Sequence, residues 1–149
     1  MRLRQGSRDV SIAAAYYPPR SDSKEYRETC SVLTDWLRQW LEDLPQRTTP
    51  LITTDLNDGL GLVVRENVMH DADTKAVGLH GRSLEHSAAA AFREVLETHG
   101  LCAINTCYRT GPTYYGETQA TYIDHMVVPL TMVQLVHECR CLRRSMRRL

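Results

Sequence analysis

The sequence predicts a mixed α/β fold, because segments of strand character alternate with segments of helical periodicity along its 149 residues. The clearest strand is the apolar, β-branched run at 50–54, which ends in Asp55 and is closed by the turn residues Asp58 and Gly59. The clearest helix spans residues 22–44, where apolar side chains recur on one helical face. The length suits one domain with a sizeable hydrophobic core.

The N-terminal half is predicted to place a second strand before this helix. Residues 10–17 are mostly small residues with strand character, and two prolines end the run. Asp22 with Glu25 is expected to form a capping box at the first turn of the helix, and Pro45 ends the helix. The helix therefore lies between two core strands.

The C-terminal half is predicted to begin with a loop rich in glycine, histidine and aspartate over about 58–82. A helix over 84–99 follows, with an alanine run inside it. Residues 101–106 and 121–128 are expected to be strands joined by a polar loop. The segment 131–149 is ambiguous, because its arginines keep helical spacing whereas its apolar residues alternate as in a strand.

The composition limits the functional classes. Eighteen basic and 18 acidic residues cancel to a formal net charge of zero, so the overall charge demands no nucleic-acid partner. The five cysteines form no Cys-x-x-Cys pair and no zinc spacing, which favours reduced cysteines in an intracellular protein. No stretch approaches the roughly 20 apolar residues that span a bilayer, so no membrane association is expected.

The positive charge is concentrated at the C-terminal end of the chain. The last ten positions contain Arg140, Arg143, Arg144, Arg147 and Arg148. Such a cluster often serves only to solvate a chain end, but it also suits contact with phosphates. Both interpretations remain open at this point.

Asp55 and Asn57 are the first candidate functional residues. On a continued strand they point to the same side, roughly 6.6 Å apart, a spacing that suits one phosphate or one hydrated metal ion. The carboxyl end of a core strand is also where α/β proteins usually build ligand sites. The alternative is that these polar residues are only turn formers.

Asp124 is the second candidate, because an ionisable residue inside an apolar strand is costly unless it is paired or bound to a ligand. Together with Asp55 it would supply two carboxylates at strand positions. Such acids hold Mg²⁺, align an attacking water or orient a histidine. The alternative is an aspartate at a frayed strand start.

The order of these motifs resembles the endonuclease/exonuclease/phosphatase superfamily, which includes deoxyribonuclease I and AP endonucleases. The likeness is greatest to the endonuclease domains of LINE-type retrotransposons and to the craniofacial-development-protein-like sequences derived from them. It covers nearly the whole chain, and its specificity comes from the order of short motifs. These are Tyr16-Tyr17-Pro18, the amphipathic helix, Thr54-Asp55-Leu56-Asn57, Asn105-Thr106, Thr113-Tyr114 and Ile123-Asp124-His125.

The resemblance implies a partial four-layer α/β sandwich of the deoxyribonuclease I-like type, an Mg²⁺ or Mn²⁺ cofactor and hydrolysis of phosphodiesters, with DNA as the expected substrate. It implies that Asp55 binds the metal and aligns or deprotonates the attacking water. Asn57 would then hydrogen-bond the scissile phosphate, Tyr16 would reach the phosphate with its hydroxyl, and Asp124 would orient the family's histidine. An intracellular location, nuclear or cytoplasmic, is expected.

The family motifs and the basic cluster at the chain end together indicate residues that would contact the nucleic acid. These expected phosphate- and nucleic-acid-binding residues are Asn105, Thr113, Arg140, Arg143 and Arg144.

The chain departs from the family pattern in ways that bear on activity. The family's metal-binding Glu strand and its Ser-Asp-His segment would lie before and after this sequence, so residues 1–149 are interpreted as one incomplete domain. Thr54 stands where the family prefers Gly, and His125 replaces the usual Tyr. His125 cannot take over the missing histidine's role, because adjacent strand residues face opposite ways. Whether the chain is an active enzyme is therefore left open.

Two alternative functions follow from the same residues. Asp55, Asn57 and Glu66 match three ligand positions of an EF-hand loop, but Leu60 occupies the position that needs Gly. The stronger alternative is a non-catalytic remnant that binds nucleic acid, or a protein partner that covers an exposed apolar face.

Overall fold

The computed structural model describes residues 1–115 and 120–140 of the chain. The described part contains two α-helices, two short 3₁₀ helices and ten strands. The α-helices are α1 (Lys24–Glu42) and α2 (Ser87–Thr98), and the 3₁₀ helices are Ile104–Cys107 and Leu130–Leu135. The strands are β1 (Arg2–Gln5), β2 (Arg8–Tyr16), β3 (Thr49–Asp55), β4 (Gly61–Arg65), β5 (Val68–Asp71), β6 (Ser83–Leu84), β7 (Leu101–Ala103), β8 (Tyr114–Tyr115), β9 (Ala120–Thr121) and β10 (Asp124–Pro129).

The central sheet has five strands in the order β1-β2-β3-β10-β7. Strands β2 and β3 are parallel and are connected through α1, whereas the other neighbours pair antiparallel. Strand β10 reaches the middle of the sheet late in the chain and inserts between β3 and β7. This insertion brings the C-terminal strand next to the strand that ends in Asp55.

Both helices pack on one face of the central sheet. Ala13, Ile52 and Val127 form a row across β2, β3 and β10, and all three are buried in the same cluster as the apolar sides of α1 and α2. The predicted helical face of α1 is confirmed, since Tyr26 and Leu37 are buried there. Sequence patterning identifies this face because a helix stabilises a sheet only through a continuous apolar stripe.

The opposite face of the sheet is exposed near its centre. Ala14, Thr53 and Met126 form the next row across the same three strands, and all three are exposed. Met126 is 51% exposed. A protein partner that covers an exposed apolar face stays a prediction.

The start of α1 differs from the predicted capping box. Ser23 is the N-cap, and its hydroxyl accepts a hydrogen bond from the Tyr26 backbone N–H at 3.0 Å. The helix therefore begins one residue later than a cap at Asp22 would place it. Serine and aspartate cap equally well, so Ser21, Asp22 and Ser23 cannot be ranked as N-caps from the sequence alone.

The loop predicted over 58–82 is wrong in its central part, because β4 and β5 form a hairpin there. Glu66 and Asn67 both adopt left-handed backbone angles at its two-residue turn, with φ of 51° and 64°. Such a turn usually carries Asn-Gly, and the missing glycine hides the hairpin from pattern analysis. Strand β6 then pairs with β4 to complete a three-stranded sheet.

The predicted strands in the C-terminal half are shorter than expected. Residues 101–106 divide into β7 and the first 3₁₀ helix, and the segment 121–128 divides into the end of β9 and most of β10. In the ambiguous C-terminal segment the second 3₁₀ helix, Leu130–Leu135, is the regular element among the described residues. No helix in the described part of the chain is long and apolar enough to cross a membrane.

Candidate active site

Three predicted site residues form a single row across the central sheet. Tyr16 pairs with Asp55 across the parallel strands β2 and β3, and Asp124 pairs with Asp55 across the antiparallel strands β3 and β10. Paired residues on neighbouring strands point to the same face of a sheet. The row therefore gathers a phenol and two carboxylates on the exposed face.

A cavity of about 510 Å³ opens at this row. It is lined by six of the residues that the sequence singles out, together with the neighbouring strand residues. The six are Tyr16, Asp55, Asn105, Thr113, Asp124 and Arg140. Residues that are far apart in the sequence, from Tyr16 to Arg140, thus line one cavity.

The ionised form of Asp55 is destabilised by its surroundings. Burial raises the pKa of Asp55 above its ordinary value, and the neighbouring charge of Asp124 raises it further. The backbone N–H of Asn57 donates to Oδ1 of Asp55 at 3.2 Å and partly offsets this rise. Two repelling oxygen anions in a partly enclosed cavity are a donor set that suits a hard divalent cation.

Asn57 lies outside the strand that contains Asp55. The sequence predicts a continued strand in which the two side chains point to the same side. Strand β3 ends at Asp55, and Asn57 adopts a left-handed φ of 50°. Its side-chain amide donates to the backbone carbonyl of Tyr17 at 2.9 Å. Asn57 consequently lines a second cavity of about 640 Å³, on which Asp55 does not lie. The expectation that the two side chains project to the same side is wrong, because β3 ends at Asp55 and its alternation does not extend to Asn57.

Asn105 and Thr113 hold the backbone on both sides of Asp124. The Asn105 amide donates to the carbonyl of Asp124 and accepts from the N–H of Met126, each at 3.1 Å. The Thr113 hydroxyl accepts the N–H groups of Ile123 and Asp124, both at 3.1 Å. In this geometry the two residues that were expected to bind phosphate position the Asp124 carboxylate.

Tyr16 and Arg140 lie at the rim of the cavity. Tyr16 is 59% exposed and lines the cavity, where a ligand can reach it. Arg140 pairs with the carboxylate of Glu138 and is exposed. Arg143 and Arg144 lie outside the described residues.

His125 is confirmed to face away from the acidic row. It is only 3% exposed, whereas its neighbour Asp124 is exposed. Burial lowers the pKa of His125 to about 4, so the imidazole is neutral at physiological pH. This geometry agrees with the expectation that His125 cannot supply catalytic acid–base chemistry at Asp124.

The structure reveals a polar cluster beside Asn57 that sequence reasoning missed. Nδ1 of His86 lies 2.6 Å from Oδ1 of Asp58, and the Arg20 guanidinium donates to Nε2 of His86 at 2.5 Å. Asp58 is 5% exposed, and all three residues line the second cavity. No local sequence signal links them, because they come from three separate loops.

A complete metal-binding cluster made of protein side chains alone is absent from the described ranges 1–115 and 120–140. No three His, Cys, Asp or Glu side chains there lie close enough to hold one metal ion between them. Mg²⁺ commonly uses only one or two protein carboxylates and completes its shell with water and substrate phosphate. The Asp55–Asp124 pair meets that smaller requirement.

Comparison with known proteins supports the fold. No family model matches the sequence, and no curated protein shows significant sequence similarity to it. The structure is similar to that of the 3′ phosphatase NExo from Neisseria bound to a product DNA hairpin, with a TM-score of 0.50 and 13% sequence identity. The match covers 89% of this chain and 52% of the phosphatase, so the chain spans about half the length of that protein. The likeness confirms the predicted fold class, a mixed α/β architecture of the deoxyribonuclease I-like type.

Proposed function

We propose that this chain is a phosphohydrolase domain of the endonuclease/exonuclease/phosphatase superfamily that hydrolyses phosphodiester bonds in DNA with a divalent metal ion. The observation that carries the proposal is the direct pairing of Asp55 with Asp124 at the cavity, beside the exposed phenol of Tyr16. The fold shared with a DNA 3′ phosphatase supports it. The finer assignment to LINE-type endonucleases rests on the motif order from Tyr16 to His125 and belongs to the same proposal.

In this proposal Asp55 is the central catalytic residue. Its carboxylate and that of Asp124 would hold Mg²⁺ or Mn²⁺. The Asp55 carboxylate accepts a hydrogen bond from the Asn57 N–H that keeps it oriented. When bound, the metal ion polarises a phosphoryl oxygen and makes bound water more acidic. Asp55 aligns the attacking water or accepts its proton, and the phenol of Tyr16 donates a hydrogen bond to a phosphate oxygen.

The second cavity extends the proposed DNA contact. Arg20 carries a positive charge at its edge, and its guanidinium is held by His86, which Asp58 holds in turn. A guanidinium fixed in this way loses less side-chain entropy when it binds phosphate. The exposed ring of Tyr114 lines the same cavity and offers a surface for base stacking. An intracellular location, in the nucleus or the cytoplasm, is part of the same proposal.

The test measures hydrolysis of two DNA substrates in the presence of Mg²⁺. One is a supercoiled plasmid, in which a single nick is detected, and the other is a 3′-phosphorylated hairpin that releases inorganic phosphate. Asp55→Ala and Asp124→Ala should each reduce turnover by at least about 100-fold. The matched control is Asp73→Ala, which removes an exposed aspartate between β5 and β6.

Three results would contradict the proposal. Turnover that is equal with EDTA and with Mg²⁺ would exclude the metal-dependent chemistry. Turnover that persists in both aspartate variants would place the active site elsewhere. DNA binding that weakens steeply with salt but is never accompanied by hydrolysis would instead support a non-catalytic nucleic-acid-binding remnant.

A further inference from the structure

Cys102 and Cys107 bring two thiols together next to the candidate site. Their sulfur atoms are 3.6 Å apart, although the residues belong to different elements. Cys102 lies in β7 and is buried, whereas Cys107 ends the first 3₁₀ helix and is partly exposed. The tight turn of the 3₁₀ helix after Ala103 folds the second thiol back over the first.

We propose that Cys102 and Cys107 form a modification site, a dithiol that a small disulfide such as glutathione disulfide converts to an intramolecular disulfide bond. A disulfide has a sulfur–sulfur distance of about 2.05 Å, so the sulfurs must approach by roughly 1.5 Å. A change in the side-chain angles of the two cysteines would supply this approach. The proposal does not depend on the proposed hydrolase function.

The reaction balances in two exchange steps. The Cys107 thiolate attacks one sulfur of glutathione disulfide, forms a mixed disulfide and releases one glutathione thiolate, which takes up a proton. The Cys102 thiol then loses its proton and attacks the Cys107 sulfur, and the second glutathione leaves. Two protein thiols are oxidised, and one glutathione disulfide is reduced to two glutathione molecules.

The environment assigns the attacking role to Cys107. The two thiols share a hydrogen bond at a sulfur–sulfur distance of 3.6 Å, and this hydrogen bond lowers the pKa of Cys107. The same hydrogen bond, together with burial, raises the pKa of Cys102. Cys107 is also the more accessible of the two. An external disulfide therefore meets Cys107 first, and the buried Cys102 resolves the mixed disulfide.

The new bond would enclose a residue that positions the candidate site. Asn105 lies between the two cysteines, and its amide bridges the backbone of β10 at Asp124 and Met126. Oxidation would close a covalent loop around Asn105. Modification of the two cysteines would thus act on the segment that holds β10.

The experiment follows the oxidation by peptide mapping of the full chain. Trypsin cleaves after Arg93 and Arg109 and releases both cysteines in one peptide, residues 94–109. After treatment with glutathione disulfide and then iodoacetamide, this peptide should be lighter than the reduced, unalkylated peptide by two hydrogen atoms and carry no alkyl group. Dithiothreitol should restore two alkylation sites. A stable glutathione adduct on the peptide, or two alkylated cysteines after oxidation, would overturn the proposal.

Variants separate the roles of the two thiols. Cys107→Ser should leave Cys102 without glutathione, because the remaining thiol is buried. Cys30→Ser is the matched control, since it removes another buried cysteine in α1 and should leave oxidation of the peptide unchanged. Glutathione transfer to Cys102 in Cys107→Ser at the wild-type rate would overturn the assignment of the attacking thiol. Because Cys107 is partly exposed, its substitution by serine should preserve the fold.

Discussion

Asp124 lies directly opposite Asp55 on the neighbouring antiparallel strand, and its charge adds to burial in raising the pKa of Asp55. Like charges directly opposite each other destabilise a pair of strands. The repulsion between the two carboxylates lowers the stability of the folded protein. A cation bound between them would remove this repulsion. The first two predictions follow from this relationship.

Replacement of Asp55 by Asn should stabilise the protein at neutral pH. The raised pKa of Asp55 means that its ionisation costs more in the folded state than in the unfolded chain. This cost is absent at acid pH, grows as pH rises through the carboxylate range and is fully present at neutral pH. The stabilisation by Asp55→Asn should therefore disappear near about pH 3 in urea unfolding experiments.

A matched control for this measurement is Asp73→Asn, which removes the charge of an exposed aspartate in a loop. Its unfolding curve should not show the gain at neutral pH. Equal stability of wild type and Asp55→Asn across the whole pH range would show that the two site carboxylates do not repel each other.

Mg²⁺ should stabilise the wild-type protein by occupying the space between Asp55 and Asp124. At a free concentration of about ten times the dissociation constant, the free energy of unfolding should increase by about 1.4 kcal/mol. The Asp55→Asn/Asp124→Asn double variant should lose this increase. Thermal unfolding with and without Mg²⁺ measures the effect, and an identical shift in the double variant would place the cation elsewhere.

His125 should make the protein sensitive to mild acid. Its folded pKa of about 4 lies below the unfolded value of about 6.5, so the unfolded chain binds a proton first as pH falls. The stability that depends on a neutral His125 is fully present above about pH 6.5 and is lost progressively as the pH falls toward about 4. The free energy of unfolding should decrease by about 2 kcal/mol between pH 7 and 5. Urea unfolding should show a shallower pH dependence in His125→Phe. An unchanged slope would assign the acid sensitivity to other groups.

Gly59 should be intolerant of a side chain. A Cβ at this position would lie 2.2 Å from the backbone carbonyl oxygen of Leu84, so Gly59→Ala forces the turn away from β6. We expect a loss of about 1–3 kcal/mol in the free energy of unfolding. Gly6→Ala is the comparison, because Gly6 has open space around it and only its positive φ costs energy. A smaller loss for Gly59→Ala than for Gly6→Ala would contradict the close approach.

Arg20 should contribute one phosphate contact to DNA binding. Arg20→Ala should weaken binding and reduce the slope of log K against log salt by about 0.9. Arg8→Ala is the control, because Arg8 begins β2 at the end of that strand opposite Tyr16. Fluorescence anisotropy with a labelled hairpin over a series of salt concentrations measures both quantities. A loss of affinity with an unchanged slope would indicate disruption of the His86 contact rather than a lost phosphate contact.

The helix α1 and the strands β2 and β3 could be predicted from the sequence, because their patterns are local. A helical face with Tyr26 and Leu37 repeats every three or four residues, and the run before Asp55 is β-branched and apolar. The β4–β5 hairpin could not be predicted in the same way, because Glu66 and Asn67 take left-handed angles without the usual glycine. In this hairpin the pairing of β4 with β5 holds the turn residues in left-handed backbone angles that non-glycine residues usually avoid.

The sequence by itself determined the mixed α/β class and the identity of the acidic residues at strand ends. Both can be predicted from the residue types and the hydrophobic periodicity of short segments. Only the tertiary structure decided that Asp124 faces Asp55, that Asn57 turns away to Tyr17 and that His86 meets Asp58. These contacts join positions far apart in the chain, or depend on one left-handed residue. Strand order and register arise from the packing of the whole chain, and a shift of one residue would move Asp124 to the other face.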